Sequence, residues 1–118
     1  MRRPHLDAMG LPDHRTRAAP NYLYAIEFTD LTVKIGTTWN PRARVVTVEN
    51  KLGKKAARVV AVPVHLGYRH RAEKMALLRA RSMSVQRREC TELFAGLKFG
   101  EAVNLLRQMA PRAEKAAA

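Results

Sequence analysis

The stretch Tyr22-Leu-Tyr-Ala-Ile-Glu-Phe-Thr-Asp-Leu-Thr-Val-Lys-Ile-Gly36 constrains this chain more than any other. Tyr22, Tyr24, Ile26 and Phe28 alternate with Leu23, Ala25 and Glu27, which is the period of a strand with one bulky, aromatic face. Thr29-Asp30 supplies a turn, and Leu31 to Ile35 forms a returning strand closed by Gly36. Immediately after this hairpin, Asn40-Pro41 starts a helix. Asn caps the free N–H groups, and Pro fits the first helical position. That helix runs to about Asn50, ends around Gly53, and carries Arg42 and Arg44 in its opening turns.

The rest of the chain continues in mixed α/β style. Residues 57–66 are almost continuously β-branched and apolar, as in a strand covered on both faces, although Pro63 pushes the later half towards an edge. Arg69 to about Met83 has helical composition, with Ala72, Met75, Ala76, Leu78 and Arg79 recurring at three-and-four spacing. A last amphipathic helix spans roughly Lys98 to Met109, stopped by Pro111, with Phe99, Ala102, Val103, Leu106 and Met109 on one face. Residues 1–20 hold Pro4, Pro12, Pro20 and Gly10 without an apolar period and read as a flexible basic arm. One domain then occupies residues 21–110, and residues 111–118 form a frayed tail.

Charge narrows the function. Twenty-two Lys and Arg face ten Asp and Glu, a formal charge of +12 on 118 residues. Such an excess favours a polyanionic partner, nucleic acid first and acidic membrane surface second, although it also serves solubility. Cys90 is the single cysteine, so no disulfide or cysteine-based zinc site forms within one chain, which suits a reducing, cytoplasmic setting. No apolar run approaches the ~20 residues of a membrane span. Lys51, Lys54, Lys55 and Arg58 form a basic loop after the first helix. Arg69 and Arg71 open the next helix, and Arg87-Arg88 make a further cluster. Trp39, just before Arg42, has the chemistry to stack on a base or sugar, and packing over the strand pair explains it equally well.

Tyr24, Lys34, Arg44 and Glu73 are the candidates for handling a phosphate. Arg44 lies one turn into a capped helix, where side chain and helix N-terminus both favour an anion. Glu73 is the single acid of its helix, among Arg69, Arg71, Lys74, Arg79 and Arg81. A lone carboxylate among cations suits a magnesium ion that takes its remaining ligands from phosphate. The competing reading is that Glu73 forms surface ion pairs with Arg69 or Arg71. The spacing of His5, His14, His65 and His70 makes no metal cluster, and His70 reads as a surface residue.

The order Tyr24, Lys34-Ile35-Gly36, Asn40-Pro41, Arg44, Ala72-Glu73 and Glu92-Leu93-Phe94 resembles the GIY-YIG nuclease superfamily. Within it, the order is similar to the phage-type branch named after the T5 open reading frame 172 domain and to the related Mug113 domain. The resemblance covers about residues 21–107. It implies a small α/β (α+β) domain, a three-stranded antiparallel sheet flanked by helices. It also implies a divalent-metal-dependent endonuclease acting on nucleic acid, DNA ahead of RNA, with the choice between the two left open by the sequence. Tyr24 stands at the first-motif tyrosine, Lys34 at the second-motif tyrosine, Arg44 at the phosphate-holding arginine, and Glu73 at the ligand of one Mg2+ or Mn2+. Three departures are visible. Tyr22-Leu-Tyr24 replaces Gly-Ile-Tyr, no histidine follows Arg44 on its helix, and the late asparagine of some members has no counterpart. Two alternatives therefore stay open on the same scaffold, a nucleic-acid-binding protein without cleavage and an inhibitor of a host protein. A two-fold homodimer would suit double-strand cutting, and no residue pattern requires one.

Overall fold

A computed structural model describes residues 3–14, 21–86 and 92–117, without the side chains of 85–86 and 114–117. Cys90, the Arg87-Arg88 pair and residues 15–20 of the expected arm lie outside the described residues.

The hairpin forms as its alternation dictates. Strand β1 (Asn21–Phe28) pairs antiparallel with β2 (Val33–Thr38), and the register sets Tyr24 opposite Gly36 and Ile26 opposite Lys34. The returning strand starts two residues later than expected, because Leu31 belongs to the turn at φ 69°. Asp30 organises that turn, accepting from the N–H and hydroxyl of Thr32 and from Lys54.

Helix α2 (Pro41–Leu52) starts at the expected cap, with the Asn40 side chain accepting from the Ala43 N–H at 3.2 Å. It ends at Gly53, whose φ of 64° suits glycine. Strand β3 (Ala56–Val64) pairs with the other side of β1. It is not covered on both faces. It is the edge strand of the sheet order β3-β1-β2-β5-β4, and most of its residues are half-buried or exposed. Pro63 is tolerated there because an edge strand has an unpaired side.

A 3-10 turn (Leu66–Tyr68) leads into α3 (Arg69–Met83), whose bounds match the expectation. Its buried face uses Ala72, Ala76, Leu77 and Ala80, while Leu78 is exposed. Strands β4 (Val85–Gln86) and β5 (Leu93–Ala95) extend the three expected strands on the β2 side. The last helix, α4 (Phe99–Ala117), passes through Pro111, which does not stop it. Leu106, Met109, Ala110 and Ala113 are buried beyond or beside the proline, so packing on the sheet outweighs one lost helical hydrogen bond.

The sheet separates two cores. Leu23, Ala25, Val33 and Ile35 face α3 and α4, whereas Tyr24, Ile26, Phe28 and Leu93 face α2 with Val45 and Val48. Residues 3–14 complete the second core, which corrects the expectation of a flexible arm. Leu6, on the short helix α1 (Pro4–Asp7), is fully buried there. Arg3 and His5 both reach the buried carboxylate of Glu49, at 2.6 and 2.8 Å. Its second oxygen also accepts the Ala56 N–H at 2.8 Å. Burial raises the pKa of Glu49, but these donors outweigh it and hold the carboxyl below its usual range.

Candidate phosphodiester site

Tyr24 and Lys34 meet because the hairpin register puts them diagonally across one face of the sheet. The Lys34 ammonium donates to the Tyr24 hydroxyl at 3.1 Å and to Oε2 of Glu92 at 2.8 Å. It also lies 5.4 Å from the centroid of the Tyr24 ring. Only 2 % of Tyr24 is exposed. The ring reaches this position because Gly36 has no side chain: a Cβ there would stand 2.5 Å from the hydroxyl oxygen.

The electrostatics follow from burial and neighbours. Desolvation raises the Tyr24 pKa, outweighing the opposite pull of Lys34 and Arg44, while Glu92 adds to the rise. Desolvation works the other way on Lys34, but the Tyr24 oxygen and Glu92 outweigh it and lift the ammonium above its ordinary value. The resting pair at neutral pH is therefore a neutral phenol and a charged ammonium. A phenol oxygen that accepts from an ammonium still has its own proton to donate.

Arg44 is exposed on α2 and close enough to influence the Tyr24 hydroxyl electrostatically. It lines a shallow cleft of about 220 Å³ with Thr38, Trp39, Asn40, Ala43 and Thr47. Trp39 is half-buried at that cleft. Residues 11–14 stand beside it. The Asn40 amide donates to Asp13 and to the His14 carbonyl, and the His14 ring bonds the Tyr22 hydroxyl at 3.0 Å.

Glu73 reaches the hairpin from the other side. Its Oε2 accepts from the Thr37 hydroxyl at 3.3 Å, and Thr37 is paired with Leu23, whose side chain faces α3 and α4. Strand alternation therefore sets Glu73 across β2 from Lys34. Among the described residues Glu73 forms no ion pair, and Arg69 turns instead to Asn21 and His70. No group of three or more His, Cys, Asp or Glu forms a metal cluster among the described residues. A carboxylate beside a hydroxyl is a hard oxygen pair, and it fits an ion such as magnesium that keeps most of its waters.

The remaining cations are dispersed. Arg42 pairs with Asp7 near the start of α2, and its N–H donates to the Pro12 carbonyl. Lys51 is exposed at the far end of that helix, about 14 Å along the axis. Lys54 is held by Asp30, Lys55 is exposed, and Arg58 is bound to Glu27. Arg69 and Arg71 sit on the first turn of α3. Glu92 stands in the motif order with no expected role, yet its carboxylate is the partner of Lys34. The signal was an acid directly before the apolar pair Leu93-Phe94, which is too short a run to show a strand period.

Among the described residues, no helix is long and apolar enough to cross a membrane. Comparison of the chain with known protein families, with curated proteins and with solved structures gives no match.

Proposed function

We propose that the chain is a DNA-acting, divalent-metal-dependent endonuclease-like domain that hydrolyses a phosphodiester bond. The observation that carries this reading is the Tyr24 hydroxyl fixed by the Lys34 ammonium with Arg44 nearby, in a chain whose motif order resembles the GIY-YIG nucleases. Phosphoryl chemistry needs charge neutralisation and positioning more than covalent help. Arg44 takes a phosphate oxygen at the cleft above the first turn of α2. Water supplies the attacking oxygen and releases its proton to solvent as the bond from phosphorus to the leaving oxygen breaks, and Tyr24, neutral at rest, donates its hydroxyl proton to that leaving oxygen. Lys34 holds that hydroxyl in place and adds positive charge, and Glu92 fixes Lys34. Glu73 and Thr37, across β2 from Lys34, would hold the Mg2+ or Mn2+, which when bound would supply positive charge to a phosphate reaching that side of the strand.

Supercoiled plasmid tests the proposal. Magnesium-dependent nicking that falls at least a hundredfold in Arg44→Ala and Glu73→Ala supports it. Nicking that survives Glu73→Ala unchanged removes Glu73 from the site. A second reading, binding of nucleic acid without cleavage, draws on the near-complete burial of Tyr24 and on Glu73 facing away across β2. Tight, salt-sensitive DNA binding with no cleavage under magnesium or manganese decides for it.

A further inference from the structure

Arg58, on the edge strand, is mostly exposed and yet held at two points. Its Nε donates to Oε1 of Glu27 at 2.8 Å, and Glu27 is buried. Its guanidinium lies over the Phe99 ring, 4.7 Å from the centroid. One face of the planar cation therefore rests on an aromatic ring. With Leu31, Leu97, Lys98 and Phe99 it lines a pocket of about 500 Å³ at the turn end of the hairpin.

Leu31 adds an independent indication. It is 69 % exposed at φ 69°, a conformation that a leucine adopts at a cost and a glycine does not. The turn that holds it is braced by Thr32 and Lys54 on Asp30. An apolar side chain kept in a strained conformation at the mouth of a pocket is the kind of feature that accompanies binding.

We infer that this pocket takes an unstacked nucleobase, laid on the outer face of Arg58, with Leu31 against its edge and the Lys98 ammonium on the neighbouring phosphate. The inference rests on the nucleic-acid reading above and extends it to base contact. The pocket chemistry favours this occupant. A simple anion would gain nothing from Leu31, Leu97 and Phe99, and a hydrocarbon would gain nothing from the planar cation. A flat π-system joined to a phosphate uses both. Its one lining carboxylate, Glu27, is already engaged by Arg58. Glu27 and Tyr24 point to opposite faces of β1, so the base bound here lies outside the nucleotide step presented to Tyr24.

The test is 2-aminopurine fluorescence in a single-stranded oligonucleotide and in a blunt duplex, with the full chain. Binding to the wild type raises the emission of the single-stranded probe, because the base leaves its stacked neighbours. Arg58→Lys retains the charge but loses the plane, so it abolishes the rise. It also weakens single-strand binding about tenfold while duplex affinity changes less than twofold. Phe99→Leu, which keeps apolar volume but removes the supporting ring, reduces the rise as well. A rise in Arg58→Lys equal to that of the wild type overturns the inference. Binding of both probes without any rise overturns it too and leaves the nucleic-acid reading standing. Binding of neither probe at low salt removes both.

Discussion

Gly36→Ala is the most direct perturbation of the proposed site, because it adds one methyl group where the Tyr24 ring already stands. The new Cβ would meet the hydroxyl oxygen at 2.5 Å, Cζ at 2.7 Å and Cε2 at 2.9 Å. An ordinary contact begins at 3.4 Å, so the ring must retreat by about 0.9 Å at its tip. It has little room to do so, since Leu6, Ile26, Val45 and Leu93 pack in the same core. Overpacking of this kind costs about 1–3 kcal/mol. The retreat also draws the hydroxyl from Lys34, 3.1 Å away, and loosening that charge-assisted bond adds about 1 kcal/mol. We expect a total loss of about 2–4 kcal/mol in urea unfolding, or a fall in Tm of roughly 8–16 °C for a domain of this size. Tyr24→Phe removes the atom in closest conflict. It should be destabilising in the native background and close to neutral beside Gly36→Ala, a coupling of about 0.5–3 kcal/mol. Strictly additive effects, or a Gly36→Ala protein as stable as the wild type, would refute the close-packed arrangement.

Three further outcomes are expected. Leu31→Gly should raise the urea midpoint by an amount equivalent to about 0.5–1 kcal/mol, because relief of the left-handed conformation exceeds the entropy cost of glycine; an unchanged or lower midpoint counts against strain at this turn. Slight burial opposes ionisation of Asp30, but hydrogen bonds from Lys54 and Thr32 hold its carboxyl at about 2. This depressed value contributes stability that is present above pH ~4 and lost as pH falls through about 2, so the gap between wild type and Asp30→Asn should close over that range. The group is largely exposed, so the gap itself should stay below about 1 kcal/mol. Leu6→Ala should cost about 2–4 kcal/mol in chemical unfolding and deprotect the amides of residues 3–14 in hydrogen exchange, whereas a free arm would show neither.

What could be read in the sequence was local. The hairpin and the Asn40-Pro41 cap announce themselves over a few residues, and the bounds of α3 follow from its composition. The meeting of Tyr24 with Lys34 follows from the hairpin once its register is known. What could not be read depended on distant partners. Leu6 is buried only because the sheet and α2 provide its pocket, and Arg3 and His5 find Glu49 more than forty residues away. Pro111 looks like a stop until Ala110 and Ala113 are seen against the core. The β5 strand is three residues long, so Glu92 showed no sign of the lysine it holds. Motif order singles out Glu73, but nothing in its spacing indicates Thr37 as its contact.

The position of β3 at the rim of the sheet has a consequence for contact between copies of the chain. A nine-residue outer strand is a template on which a second copy could add its own strand and begin a growing ribbon. Pro63 removes one donor from that row, and Arg58 places a positive charge beside it, so an identical neighbour would meet a broken ladder and a like charge. Replacing both with valine would leave a long, neutral template, and such a chain should form fibrillar aggregates that the native sequence resists.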